Sequence, residues 1–141
     1  MRKRNAMIDE FLKATRIGML GTLNEDGSPN LMPLWYEWDG AKLRMFSDPR
    51  VAKIRRLRAD PRATVLAAEG VGVAEAWVSV EGTVEVTTDG AKELMRRLTE
   101  RYYEPKKAEE AIKMWSQAES LALLELTPTK IKSIWGSWVE E

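Results

Sequence analysis

Two Asp-Gly turns between short apolar segments constrain the fold of this sequence more than any other feature. Asp26-Gly27 lies within the turn-rich segment 24–30, and Asp39-Gly40 follows soon afterwards. Asp-Gly is a favoured two-residue connection between antiparallel strands. The sequence therefore predicts hairpin-linked strands at 16–23, 31–38 and 41–47. Pro33 inside the second strand indicates a sheet edge, a bulge or an interruption of the hydrogen-bond ladder.

The rest of the chain mixes strand and helix patterns without a regular strand-helix-strand order. Strands are predicted at 62–69, 76–87, 120–127 and 130–138. Helices are predicted at 5–14, 48–59 and 105–118, and another follows a Thr88 or Asp89 cap. We therefore expect a mainly β (α+β) fold, an antiparallel sheet of about seven strands that forms a small barrel with peripheral helices. We expect residues 1–141 to form a single domain.

The composition limits the chemistry that the protein can perform. The 141 residues contain no cysteine and no histidine, and 22 basic residues balance 22 acidic ones. Thiol nucleophiles, disulfides and Ser-His-Asp or Cys-His catalysis are therefore excluded. The balanced charge argues against general nucleic-acid binding, and no apolar run approaches the roughly 18 residues of a membrane span. We expect a cytoplasmic protein, in which a bound organic cofactor carries any catalysis.

Positive charge is concentrated in the segment 45–62. Asp48 is predicted to cap a helix that starts at Pro49, and a three-residue repeat of Val51, Ile54 and Leu57 is predicted to face the core.

Two of the basic side chains on this helix are suited to bind an anion. Arg50 and Lys53 lie near the helix N-terminus, close to the Ser47 hydroxyl, and together they form a candidate phosphate site. The alternatives are a solvated helix face and nucleic-acid binding assisted by residues 2–4. No role is assigned to the remaining arginines, Arg55, Arg56, Arg58 and Arg62.

Three segments resemble one known family. The run LRMFSDPRVAKIRRLRADPRATVL resembles the flavin-binding split-barrel family, also called pyridoxamine 5'-phosphate oxidase-like. TLNEDGSPNLMPLWYEWDGAKL resembles its opening hairpin, and AWVSVEGTVEV resembles the strand after its basic helix. The resemblance implies a six-stranded split barrel that binds FMN or the deazaflavin F420. It also implies a homodimer with cofactor sites at the interface. The chain is most similar to the short F420-dependent branch.

The same resemblance implies a set of cofactor-binding residues. The phosphate would be bound by Ser47, Arg50 and Lys53. The ring system would lie beside Met32, Pro33, Leu34 and Trp35. The pocket floor would be formed by Met45 and Phe46. The wall contributed by the partner subunit would include Trp77, Ser79, Trp135 and Gly136. From the residues themselves, Trp35 fits ring stacking and core packing equally, whereas core or dimer packing is favoured for Trp38, Trp77 and Trp115.

The sequence departs from true pyridoxamine phosphate oxidases at its end. KIKSIWGSWVEE contains neither the arginine nor the histidine that those enzymes use for their substrate, so oxidation of vitamin B6 is not expected. We predict an oxidoreductase that passes hydride between FMN or F420 and a small planar or conjugated substrate. A non-catalytic ligand-binding module and a structural dimer without cofactor are the alternatives. Tyr36 is interpreted as either a proton donor or a packed aromatic.

Overall fold

The computed structural model of the protein describes residues 6–139, and within them it contains four helices and eight strands. The helices are α1 (Ala6–Lys13), α2 (Ala52–Ala59), α3 (Ala91–Tyr102) and α4 (Pro105–Trp115). The strands are β1 (Gly18–Leu23), β2 (Pro29–Leu34), β3 (Glu37–Trp38), β4 (Leu43–Ser47), β5 (Arg62–Ala68), β6 (Trp77–Thr87), β7 (Ala122–Ser133) and β8 (Gly136–Val139).

All eight strands belong to one curled antiparallel sheet. The strand order is β2-β1-β5-β6-β7-β4-β3, and β8 pairs with β7. The helices pack outside this half-barrel, which confirms the predicted fold class. Pro33 lies on β2 at the end of the strand order, where its missing N–H costs the ladder least.

The predicted strand at 31–38 is divided into two. β2 begins earlier, at Pro29, and ends at Leu34, and the two-residue strand β3 follows after Trp35 and Tyr36. The backbone N–H of Tyr36 donates to the hydroxyl of Tyr102 at 3.2 Å instead of to a neighbouring strand. This hydrogen bond to α3 explains why the ladder stops between β2 and β3.

The two C-terminal strands predicted at 120–127 and 130–138 form instead one long strand, β7, followed by β8. β7 continues past Pro128 because Thr129 is accommodated as an extra residue where the pairing with β6 shifts register. The Thr129 hydroxyl donates to the carbonyl oxygen of Glu81 at 3.2 Å. A β-bulge therefore accommodates Pro128, which lies in the gap between the two predicted strands.

Helix α2 starts later than predicted, so the proposed Asp48 cap is wrong. The N-cap residue is Val51, which makes no capping side-chain bond. The Asp48 carboxylate instead accepts the backbone N–H of Arg50 at 2.9 Å and pairs with its guanidinium. Val51 is 39% exposed, whereas Ile54 and Leu57 are buried, so Val51 does not face the core as predicted.

The start of α3 and both ends of α4 differ from their predictions in smaller ways. The N-cap of α3 is Gly90, at a φ of 78°, and neither Thr88 nor Asp89 caps it. At the start of α4, the Glu104 carboxylate accepts the backbone N–H of Lys107 at 2.7 Å, and the helix ends at Trp115 rather than at 118.

Two apolar clusters hold these elements together, and they meet beside α2. The first fills the half-barrel and includes Tyr36, Met45 and Leu57. The second lies beneath α3 and α4 and includes Leu94 and Ile112, with Trp35, Phe46, Tyr102 and Trp115 packed against it. None of the helices within 6–139 is long and apolar enough to cross a membrane.

Candidate functional site

Two cavities adjoin each other between α2, the end of β2 and the C-terminal end of α4. The larger, of about 760 Å³, is bounded on one side by residues 46–50 and 53 and on the other by residues of the segment 114–121. The smaller, of about 360 Å³, extends along Pro33, Leu34 and Trp35. Phe46, Lys53 and Trp115 line both cavities. The structure thus brings together seven of the predicted residues: Pro33, Leu34, Trp35, Phe46, Ser47, Arg50 and Lys53.

Lys53 is the most unusual charge at this site. Its side chain is half-buried, and burial, followed by repulsion from the Arg56 guanidinium, lowers the pKa of its ammonium group. No carboxylate in the described part of the chain pairs with it. An ammonium group that has lost much of its hydration and has no counter-ion favours an anionic ligand.

Arg50 is placed differently from Lys53. Its side chain is 87% exposed and forms a two-bond ion pair with Asp48, in which Nε donates to Oδ1 at 3.0 Å and Nη2 to Oδ2 at 2.8 Å. The hydrogen bonds from Arg50 lower the pKa of the Asp48 carboxyl to about 2. Asp48 therefore competes with any phosphate for this guanidinium.

The Ser47 hydroxyl and the Arg56 guanidinium flank Lys53. Ser47 is buried at the end of β4, and its hydroxyl donates to the carbonyl oxygen of Asp48 at 3.0 Å. Arg56, one helical turn after Lys53, donates to Thr22 Oγ1 at 3.1 Å and to Asn30 Oδ1 at 3.0 Å. Both partners of Arg56 are neutral, so its positive charge adds to that of Lys53.

Half-buried aromatic rings form the apolar wall of the site. The Trp35 indole stacks on Tyr102 with centroids 5.1 Å apart and an interplanar angle of 8°. It meets Tyr103, Trp115 and Phe46 edge-on at 4.7, 6.0 and 6.4 Å. Of these rings, those of Trp35, Phe46 and Trp115 line the cavities, and Tyr102 and Tyr103 pack against Trp35 outside the lining. Such a wall suits a flat ring system.

Met32, predicted beside the ring, and Met45, predicted on the pocket floor, belong to the packing of the half-barrel core and do not line the cavities. Met45 has no exposed surface, because strand alternation turns it inward while Phe46 faces the cavities. Met32 is half-buried and packs against the same core. Tyr36 is also fully buried, and burial raises the pKa of its hydroxyl to about 12. The structure thus supports the packed-aromatic interpretation of Tyr36.

The four residues predicted to form a partner's wall lie at the far end of the sheet. Ser47 is opposite Ala122 at the start of β7, whereas Ser79 is opposite Lys132 near its end. Ten residues of strand separate the two positions, which is about 33 Å. Trp77 begins β6 beside Ser79, Trp135 packs on Phe11 with centroids 5.8 Å apart, and Gly136 begins β8. Within one chain, these four residues do not meet the cavities.

Three residues in or beside the site were missed from the sequence. Trp115 was assigned to core or dimer packing, and neither Tyr102 nor Arg56 was given a role in binding. The helical periodicity shows that Tyr102 and Trp115 face inward, but not that α3 and α4 pack where β2 and β4 end. Arg56 carried a usable signal, because it follows Lys53 by three residues and shares its helix face.

The structure is thus an antiparallel split barrel with a half-buried lysine and an aromatic wall in one groove. Residues 5–135 match the family described as pyridoxamine 5'-phosphate oxidase. The match extends over most of the chain, and the protein belongs to this family.

Solved structures share the fold. The conserved hypothetical protein Rv2991 from Mycobacterium tuberculosis is 25% identical, with a TM-score of 0.73, over 94% of this chain and 85% of its own. An FAD-binding protein from Mesorhizobium loti is 27% identical, with a TM-score of 0.66, over 93% of both chains. A structure named F420 reductase is 22% identical, with a TM-score of 0.70, over 87% of this chain and 94% of its own. At that identity, the last comparison shows the fold alone.

Proposed function

We propose that this protein is an oxidoreductase that binds FMN or F420 in the two adjoining cavities, with the cofactor phosphate at Lys53. The observation that carries the proposal is the half-buried Lys53 ammonium, which has no carboxylate partner within residues 6–139 and lies where the cavities meet. Family membership supports a flavin-type cofactor, as do the names of two structural neighbours, an FAD-binding protein and an F420 reductase.

The residues present fit such a cofactor. Lys53 supplies donors for a phosphate, and Arg56 adds positive charge behind it. The Ser47 hydroxyl would add a further donor by exchanging its bond to the Asp48 carbonyl for one to the phosphate. Pro33, Leu34 and Trp35 offer a flat apolar strip for a ring system. When bound, a flavin or deazaflavin supplies the ring that gives or takes hydride.

The side chains of this protein bind and orient the reactants. The aromatic wall excludes water from one side of the groove, and Lys53 fixes the charged end of the cofactor. The sequence contains no thiol and no imidazole, so neither group serves as nucleophile or base. The substrate in this proposal is a small planar or conjugated molecule.

The choice between FMN and F420 depends on the basic side chains beyond Lys53. Arg55 and Arg58 are exposed on α2, where they could receive the acidic tail of F420. FMN has no such tail and needs only the residues around Lys53. A protein adapted to F420 should therefore lose affinity for F420, but not for FMN, when Arg55 is neutralised.

The homodimer is part of the same proposal. Trp77, Ser79, Trp135 and Gly136 can reach a cofactor only if a second copy brings its far end to the groove. The exposed side chains of Met19, Leu31 and Leu66 support this, because strand register places them on one face of β1, β2 and β5, next to Ser79. We call these three residues the outer apolar patch. Such a patch commonly marks an interaction surface.

Cofactor titration tests the proposal. We expect wild type to bind FMN or F420 and Lys53→Met to bind about ten- to a hundredfold more weakly, since a charged hydrogen bond to phosphate is lost. Methionine keeps most of the side-chain volume. Arg55→Met, on the exposed face of the same helix, is the matched control and should bind FMN like wild type. Equal affinities for wild type and Lys53→Met would disprove the phosphate site.

Turnover separates an enzyme from a binding module. The cofactor-loaded protein is mixed with a reductant and a panel of planar acceptors, and the cofactor absorbance is followed. Reoxidation that depends on the acceptor supports an oxidoreductase. Tight binding without turnover of any acceptor would favour the non-catalytic module.

A further inference from the structure

The indole of Trp35 is held by a part of the chain that has no regular secondary structure. Trp35 and Tyr36 lie between β2 and β3, outside the strand ladders. Trp35 nevertheless forms one wall of the smaller cavity. Because strand pairing does not fix this link, its geometry depends on the side chains that pack against it.

One side chain, Tyr102 at the end of α3, contacts both the backbone and the indole of this link. Its hydroxyl accepts the backbone N–H of Tyr36 at 3.2 Å and donates to the carbonyl oxygen of Arg16 at 2.6 Å. Its ring stacks on Trp35 at 5.1 Å, nearly parallel. Tyr102 thus joins three segments that are distant in sequence: the end of α3, the β2–β3 link and the residues before β1.

Tyr102 is not among the residues that line either cavity. It lies behind Trp35, so it would act on a ligand only through the indole. Burial raises the pKa of its hydroxyl, which therefore stays protonated and able to donate throughout the ordinary pH range. A group that fixes the orientation of a contacting side chain in this way influences affinity without touching the ligand.

We propose that Tyr102 is a positioning residue of the cofactor pocket, which sets the orientation of the Trp35 indole against the bound ring. This inference rests on the proposed function, because it assumes that the smaller cavity holds the ring of the cofactor. Its physical basis is that the Tyr102 hydroxyl holds the backbone of the link, while the Tyr102 ring holds the Trp35 indole.

Tyr103 provides a matched control. It follows Tyr102 directly, and its ring also packs against Trp35, edge-on at 4.7 Å. The hydroxyl of Tyr103 makes no hydrogen bond to any residue that the structure describes, whereas the hydroxyl of Tyr102 bonds to the backbone of both Tyr36 and Arg16. Tyr102→Phe and Tyr103→Phe are therefore the same chemical change in two neighbouring rings, and only the first removes the anchor of the link.

The experiment combines cofactor titration with near-ultraviolet circular dichroism. We expect Tyr102→Phe to bind FMN and F420 about three- to tenfold more weakly than wild type, and Tyr103→Phe to bind like wild type. The difference spectrum between wild type and Trp35→Phe isolates the signal of Trp35. This signal should change in Tyr102→Phe and persist in Tyr103→Phe, which a loss of general stability alone would not produce.

The outcomes separate this inference from the proposed function. If wild type binds neither cofactor, the proposed function fails, and this inference fails with it. If wild type binds but Tyr102→Phe matches it in affinity, only the positioning role is overturned. A weaker affinity in Tyr102→Phe with an unchanged Trp35 signal would also overturn it, because the effect would not pass through the indole.

Discussion

At the residue scale, Lys53 illustrates how a residue proposed to bind a ligand opposes stability. Burying an ammonium group without a counter-ion costs free energy, and the lowered pKa of Lys53 reflects that cost. By contrast, Arg50 is exposed and paired with Asp48, so it costs little and is less available to a ligand. A charged side chain that is buried despite such a cost is a sound candidate for ligand binding.

This cost predicts how the stability of the ligand-free protein depends on pH. Burial holds the pKa of Lys53 in the folded state below the ordinary lysine value of 10.5, so protonation of Lys53 opposes folding. We expect Lys53→Met to melt at a higher temperature than wild type near neutral pH. The difference should shrink as pH rises through the lowered pKa towards 10.5, because the wild-type side chain then becomes neutral. Differential scanning fluorimetry over this range measures it, with Arg55→Met as control.

A constant loss of stability in Lys53→Met at every pH would contradict this prediction. It would show that the aliphatic stem of Lys53 packs better than methionine, and that burial of its charge is not the dominant effect. Measured without cofactor, the experiment is independent of whether FMN or F420 is the natural ligand.

At the scale of elements, the bulge in β7 shows which features of the sheet can be predicted from the sequence and which cannot. The two Asp-Gly turns and the alternating segments predict the antiparallel sheet correctly, because hairpins and strand alternation are local properties. The predicted strands end at 127 and resume at 130, on either side of Pro128, whereas the structure has one continuous strand there. The strand continues because Gly82 on β6 leaves room for the backbone opposite, which depends on a residue almost fifty positions away.

Gly82 is therefore predicted to be intolerant of any side chain. A Cβ atom there would lie 2.0 Å from the carbonyl oxygen of Thr127 and 3.0 Å from the Cα of Pro128, and backbone atoms cannot move aside cheaply. We expect Gly82→Ala to lower the free energy of unfolding by about 2–4 kcal/mol, measured by urea denaturation.

Gly70, in the loop between β5 and β6, is the control for this substitution. A Cβ atom at Gly70 meets nothing within 4 Å. Gly70→Ala should change stability by less than about 1 kcal/mol, since the main effect is on the unfolded chain. Equal effects at the two glycines would mean that the bulge relaxes easily and that the close approach is not essential.

The candidate site separates in the same way into local and non-local parts. Ser47, Arg50 and Lys53 are close in sequence, and their proximity follows from a strand running into a helix. Trp115 and Tyr102 reach the site only because α3 and α4 fold back over the ends of β2 and β4. Met45 was placed on the pocket floor because a local motif does not show which side of β4 faces the cavities.

At the scale of the whole molecule, the arrangement of the sheet leaves the predicted site divided. Ser47 lies at one end of β7, and Ser79 lies about 33 Å away along that strand. Trp77, Ser79, Trp135 and Gly136 do not line either cavity. The outer apolar patch is continuous with Ser79 on the sheet surface, so an interface centred on the patch would also include the far end of the sheet.

The homodimer proposal therefore predicts that a substitution that disrupts the dimer also weakens cofactor binding. Wild type should scatter light with twice the 16.1 kDa mass of one chain. Leu31, which is 67% exposed in the outer apolar patch, is replaced by lysine to place a charge there. We expect Leu31→Lys to be monomeric and to bind FMN at least about tenfold more weakly, because the partner's wall is lost.

Val71→Lys, at a fully exposed loop position, should remain dimeric and bind like wild type. A monomeric wild type that binds FMN tightly would show that one chain forms the whole site, and that the four distant residues have another role.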